Sequence, residues 1–281
     1  MVAPWRRDSY VLGGGPGEVA LIALSSVKLP DPLPVSRGRH GMPDDGEGAG
    51  AVALVARDRA ADPAWFSDQV LAPFADLIAS DLGPSAAAIA LAAEHAYVIE
   101  ARLDDPDDLG HVQAAWALAK CVCEEGATVV IDVHAARAHL GEEVAALAAD
   151  RAFDVMHEVT LFFDEQPDGS LAAWSLGLRK FGRPDLVLLG VPPDAATDAA
   201  IALRDIAATL ADGERLEPGD QVAAPDGRVL TAIRFEAAMS AIVAVDGPAL
   251  VLERRSREDQ DDKRERGALE ARDGDGPARD V

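Results

Sequence analysis

Apolar positions along this chain switch repeatedly between the two-residue alternation of strands and the three-and-four step of helices. Residues 19–25 and 51–56 read as short apolar strands. Asp62-Pro63 then supplies an N-cap and a first-turn proline, and Phe66, Val70, Phe74 and Leu77 recur at helical spacing until Gly83-Pro84. Over 96–103 the chain alternates, with Tyr97, Ile99, Ala101 and Leu103 on one face and Val98, Glu100 and Arg102 on the other. A stripe of Leu109, Val112, Trp116, Ala119 and Cys123, widened by Ala115, Leu118 and Val122, predicts a helix from about Asp107 that is covered on most sides. The continuous apolar run 127–133 predicts a strand buried on both faces.

The second half reads differently. Strands over 155–163 and 171–176 flank Pro167-Asp168-Gly169, and strands over 221–223 and 229–235 flank Pro225-Asp226-Gly227, two turns with hairpin chemistry. Between them lie a strand over 186–191 and a helix from about Ala195, with Ala199, Leu203, Ile206 and Leu210 in step and Gly213 past its end. A β-α-β-α-β opening followed by hairpins predicts an α+β fold, a mixed sheet with helices packed on it. Residues 1–16 read as a flexible arm and 17–253 as the globular body, divisible into lobes over 17–150 and 151–253. Residues 254–281, rich in charge and poor in apolar groups, read as a disordered tail. The Pro- and Gly-rich stretch 29–50 reads as a long loop with no regular element.

Charge narrows the function classes. The chain of 281 residues carries 26 basic and 49 acidic side chains, a net charge of −23. Nucleic-acid affinity comes from Lys and Arg displacing counterions, so neither a nucleic acid nor an anionic membrane is expected as partner. The first apolar run lacks a cleavage pattern and no stretch is continuously apolar over a membrane's width, which predicts a cytoplasmic protein. Cys121 and Cys123, two apart on one helix, point away from each other and are expected to be reduced.

Four clusters carry candidate chemistry. The glycines at 13–17 precede a strand, the reverse of a phosphate loop, and suit an arm. Asp104, Asp105, Asp107 and Asp108 surround Pro106 where a helix begins, so capping by Asp105 accounts for them better than a cation does. Asp132 and His134, i and i+2 at a strand end, are the start of a metal site for Zn or Mn. His139, His95 and His157 are possible further ligands and Glu142 or Glu143 a general base, an arrangement for metal-dependent hydrolysis. Local capping and hydrogen bonding explain the same residues more simply, and no cofactor is expected.

The fourth cluster is the block 177–185, where Arg179, Lys180 and Arg183 lie between Gly177 and Gly182. In so acidic a chain this is a positive island, able to grip a small anion with Arg forks and glycine-exposed amides, or else to pair with the chain's own carboxylates. The block Gly-Leu-Arg-Lys-Phe-Gly-Arg-Pro-Asp, together with Gln113-Ala114-Ala115-Trp116-Ala117-Leu118-Ala119, resembles segments of uncharacterised bacterial proteins. The resemblance implies a bacterial, intracellular protein and no activity. The expected role is binding rather than catalysis: an acidic protein that holds a basic protein partner or a small anion, with metal-dependent hydrolysis as the alternative.

Overall fold

The computed structural model describes residues 2–44, 47–224, 227, 229–236, 239, 242–245 and 247–254. The fold is α+β, with two sheets and helices packed against them. The first sheet contains β1 (Pro16–Ser25), β2 (Val52–Asp58), β3 (His95–Asp104), β4 (Val129–Asp132) and β5 (Arg137–Leu140), in the order β2-β3-β1-β4-β5. Every pairing in it is antiparallel, whereas one mixed sheet was expected. The mixed sheet is the second: β6 (Thr160–Glu165), β7 (Leu171–Leu176), β8 (Asp185–Val191), β9 (Gln221–Ala223), β10 (Val229–Arg234) and β11 (Ala249–Arg254), ordered β6-β7-β8-β11-β10-β9 with β8 and β11 parallel.

Helices fill the connections. The loop over 29–50 holds two single turns, α1 (Arg37–His40) and α2 (Glu47–Gly50), where no element was expected. From α3 (Pro63–Phe66), begun by the Asp62 side chain accepting the Trp65 N–H, the chain passes through one π-helical turn into α4 (Ala72–Leu91). Gly83 adopts φ 79° and Pro84 opens the next turn, so the expected stop is a kink. By length and composition this 29-residue run could cross a membrane; here Phe66, Val70, Ile78, Ala87 and Ala90 face β1 and β4 of the first sheet, through Ile22, Leu24, Val129 and Ile131.

The other face of that sheet receives α5 (Gly110–Glu124), which is buried over nearly its whole length. It begins later than the carboxylate run suggested, because Asp108 accepts the Gly110 N–H while Asp105, at φ 38°, turns to Gly13 and Arg183 instead of capping. After α6 (Gly141–Ala145), the segment read as the start of a strand forms α7 (Val155–Glu158), since the Asp154 carboxylate accepts the Met156 N–H. Helix α8 (Ala196–Ala211) covers the second sheet.

One apolar cluster runs through both halves, joining Val19, Leu21 and Trp116 to Leu186, Leu203 and Leu250. Residues 2–16 also belong to the body and do not form the free arm expected. Trp5 is buried, and the Arg7 guanidinium donates to the carbonyls of Pro106, Leu210 and Ala211. The Pro225-Asp226 turn lies outside the described residues, as does the tail beyond Arg254; its two flanking strands, β9 and β10, pair antiparallel.

Candidate functional site

Two clusters that the sequence kept apart meet in space. Strand β4 delivers Asp132 against β1 opposite Leu21, and a 3-10 turn over Leu178–Phe181 lies across the same strand. Glycines permit that crossing. The Gly15 N–H donates to the Gly182 carbonyl at 2.9 Å, and a Cβ on Gly182 would sit 2.1 Å from the Gly15 oxygen. A Cβ on Gly177, at φ 123°, would likewise meet the Glu158 carbonyl at 2.3 Å. These glycines serve close backbone packing; their amides are turned to the protein's own chain.

The turn drives Lys180 inward. Its side chain is 0% exposed, and Nζ donates to Asp132 Oδ2 at 2.5 Å and Glu158 Oε2 at 2.7 Å. Glu158 Oε2 also accepts the Trp116 indole N–H at 2.9 Å, Glu158 Oε1 accepts from His157 Nδ1 at 3.1 Å, and Asp132 Oδ1 accepts the Ala135 N–H at 3.1 Å. Arg151 stands 3.9 Å from Glu158, with its guanidinium over the rings of Trp5 and Trp116. Burial works against the charges of Glu158 and Lys180, but their pairing prevails, whereas at Arg151 burial outweighs the nearby carboxylates and lowers its basicity. The Lys180 charge and the His157 hydrogen bond hold Glu158 well below the usual carboxylate range, and Asp132 and Glu158 raise Lys180 above its ordinary value. A protonated, fully enclosed lysine is neither a nucleophile nor a base.

Around this centre sit neutral imidazoles. His111 Nε2 donates to the Lys180 carbonyl at 2.8 Å, and burial lowers its basicity. His139, opposite Val130 in β5, stacks on His157 at 5.3 Å and meets Trp116 edge-on; burial first, then His157 and Arg137, push it down to about 3. Nδ1 of His111 and Nε2 of His139 are buried without a hydrogen-bond partner among the described residues.

The sequence-derived metal set is dispersed. Strand β4 ends at Asp132, so His134 falls in the following turn rather than in the strand. His134 lines a shallow cavity of about 480 Å3 over the first sheet with Glu18, Glu100 and Arg102, and burial lowers its basicity against the opposing charge of Asp132, with Arg179 and Lys180 adding to the lowering. His95 lies at the start of β3, 3.8 Å from Asp58, while Glu142 and Glu143 are exposed on α6. Among the described residues no three His, Cys, Asp or Glu side chains converge as ligands.

The expected anion grip is also turned inward. Arg183, 3% exposed, donates to the carbonyls of Val11, Gly182, Gly213 and Glu214 and to Asp105. Arg179 binds Glu18, which Arg102 binds from the other side. Neither Lys180 nor Arg183 presents a face to a solvent anion, because the fold uses both to satisfy its own carboxylates and carbonyls.

Glu158, Trp116, Arg151, Glu18 and Arg102 had no place in the sequence-derived site. Glu158 carried one signal, a charge within the apolar run 155–163. Both cysteines are free and buried, and burial pushes their thiols up, Cys121 to about 11 and Cys123 to about 12, away from reactive thiolate chemistry. Compared with known proteins, the chain matches no family model, no curated protein and no solved structure.

Proposed function

We propose that this is a binding protein that meets a basic protein partner through its acidic surface. The inward turn of its cations carries the reading. Among the described residues four basic side chains, Arg7, Lys120, Lys180 and Arg183, are buried, against four carboxylates, Glu18, Asp132, Glu158 and Asp185. Arg179, the most exposed cation of the block, is held by Glu18. Among the described residues the interior is therefore matched in ionisable groups and takes up none of the sequence's excess of 49 acidic over 26 basic residues. Such a surface draws in cationic partners through a field that salt screens, and raises association rate and selectivity more than raw affinity.

Titration of labelled decalysine with the full chain, followed by fluorescence anisotropy, tests this against an unrelated protein of the same length and net charge. The expected result is affinity about tenfold above that control, falling steeply with added salt. Equal binding by the two proteins would reduce the effect to bulk charge and refute the proposal.

A further inference from the structure

Helix α8 leaves the β9 end of the mixed sheet uncovered. A groove of about 500 Å3 remains there, floored by Ile206, Leu210, Leu216 and Val222 and rimmed by Asp205, Glu214 and Arg215. Glu217 and Asp220, both exposed, extend the acidic rim toward β9. Two cations stand among these groups, Arg204 at 3.4 Å from Asp205 and Arg215 bound to Glu217 and to the Leu12 carbonyl, so the four carboxylates Asp205, Glu214, Glu217 and Asp220 outnumber the cations by two. Strand β9 is the last of its sheet, with no strand on its outer side among the described residues.

We infer that this groove receives a basic segment of the partner, an extended stretch in which apolar residues alternate with Lys or Arg. The apolar side chains would cover the floor, whose volume falls within the usual range for ligand sites, about 300 to 1,000 Å3. The long cationic side chains would run along the apolar walls and end at the carboxylates. An extended segment also suits an open sheet edge, which offers backbone pairing to an added strand. The inference rests on the acidic-surface reading and gives that surface an address.

Isothermal titration with a capped hexapeptide of alternating Lys and Leu provides the test. Asp205→Lys with Glu214→Lys should weaken binding about tenfold or more. Glu142→Lys with Glu143→Lys changes net charge equally at two exposed positions on α6 and should cost less than about threefold. Thr209→Trp fills the groove from an exposed position without changing charge and should again cost about tenfold. Equal losses in the groove and α6 variants, or an unmodified chain that binds decalysine but not the hexapeptide, would overturn the groove and leave the acidic surface standing. Binding of neither peptide would overturn both.

Discussion

Replacing Lys180 by methionine removes the charge at the centre of the fold while keeping the length of the side chain. Nζ lies 2.5 Å from Asp132 and 2.7 Å from Glu158, and none of the three side chains is more than 1% exposed. At an effective dielectric of about 20, each contact is worth about 6 kcal/mol of Coulomb attraction. Desolvation offsets several kcal/mol per ion, so the assembled cluster adds little net stability, but removing its cation strands two buried carboxylates. The expected cost is about 3 to 5 kcal/mol near neutral pH. Urea unfolding followed by tryptophan fluorescence measures it, because Trp116 is buried and bound to Glu158. The sign of the pH dependence is an independent check. With Lys180 present, Glu158 is held below its unfolded value, so its stabilisation is present at neutral pH and fades as pH falls through the carboxylate range. Without Lys180, burial favours the protonated acid, so the gap between the two proteins should narrow on acidification. Adding Asp132→Asn and Glu158→Gln to Lys180→Met should recover much of the loss. A cost below about 1 kcal/mol, or one that is the same at pH 7 and pH 4.5, would refute the account of this centre.

Two further outcomes follow from other parts of the block. Burial pushes Asp185 up to about 7 although Leu178 N–H, the Ser175 hydroxyl and the Lys180 charge oppose it, so the native chain keeps a proton that the unfolded chain releases near pH 4. Stability from this group falls as pH rises from about 4 to 7, by up to about 4 kcal/mol; Asp185→Asn should flatten the profile of unfolding midpoints, and an unchanged slope would contradict the assignment. Gly182 and Gly169 adopt φ 65° and 80°, but a Cβ meets the Gly15 oxygen at 2.1 Å in the first and nothing within 4 Å in the second. Alanine at 169 should cost about 1 to 2 kcal/mol and at 182 at least about 2 kcal/mol more, by denaturant unfolding; equal costs would mean that the crossing is not tight.

Periodicity carried most of the element positions because it is local. The alternation at 96–103 matches β3, whose Tyr97, Ile99 and Ala101 enter the main core, and the run 127–133 contains β4, buried on both faces. The errors fall where a few side-chain hydrogen bonds decide the local outcome. Asp154 turns 155–158 into a helical turn, and Asp81 accepts the Ala138 N–H at β5, a strand too short and too polar for pattern alone to reveal. Lys180 was the largest misreading. In sequence it lies in a charge run, which ordinarily faces water, and its partners Asp132 and Glu158 are 48 and 22 residues away. Burying a lysine depends on those distant carboxylates arriving together, which no window along the chain contains. Asp132 and Arg179 stand out in the sequence as metal and anion candidates, whereas in the fold each is paired with a charge of the chain itself.

Lys180 takes Asp132 from the antiparallel sheet and Glu158 from just ahead of the mixed one. A polypeptide ending near residue 150 would lack the cation that Asp132 binds, and one beginning there would give Lys180 a single carboxylate where it now has two. The two sheets are therefore held to one another by charge as well as by the apolar cluster they share.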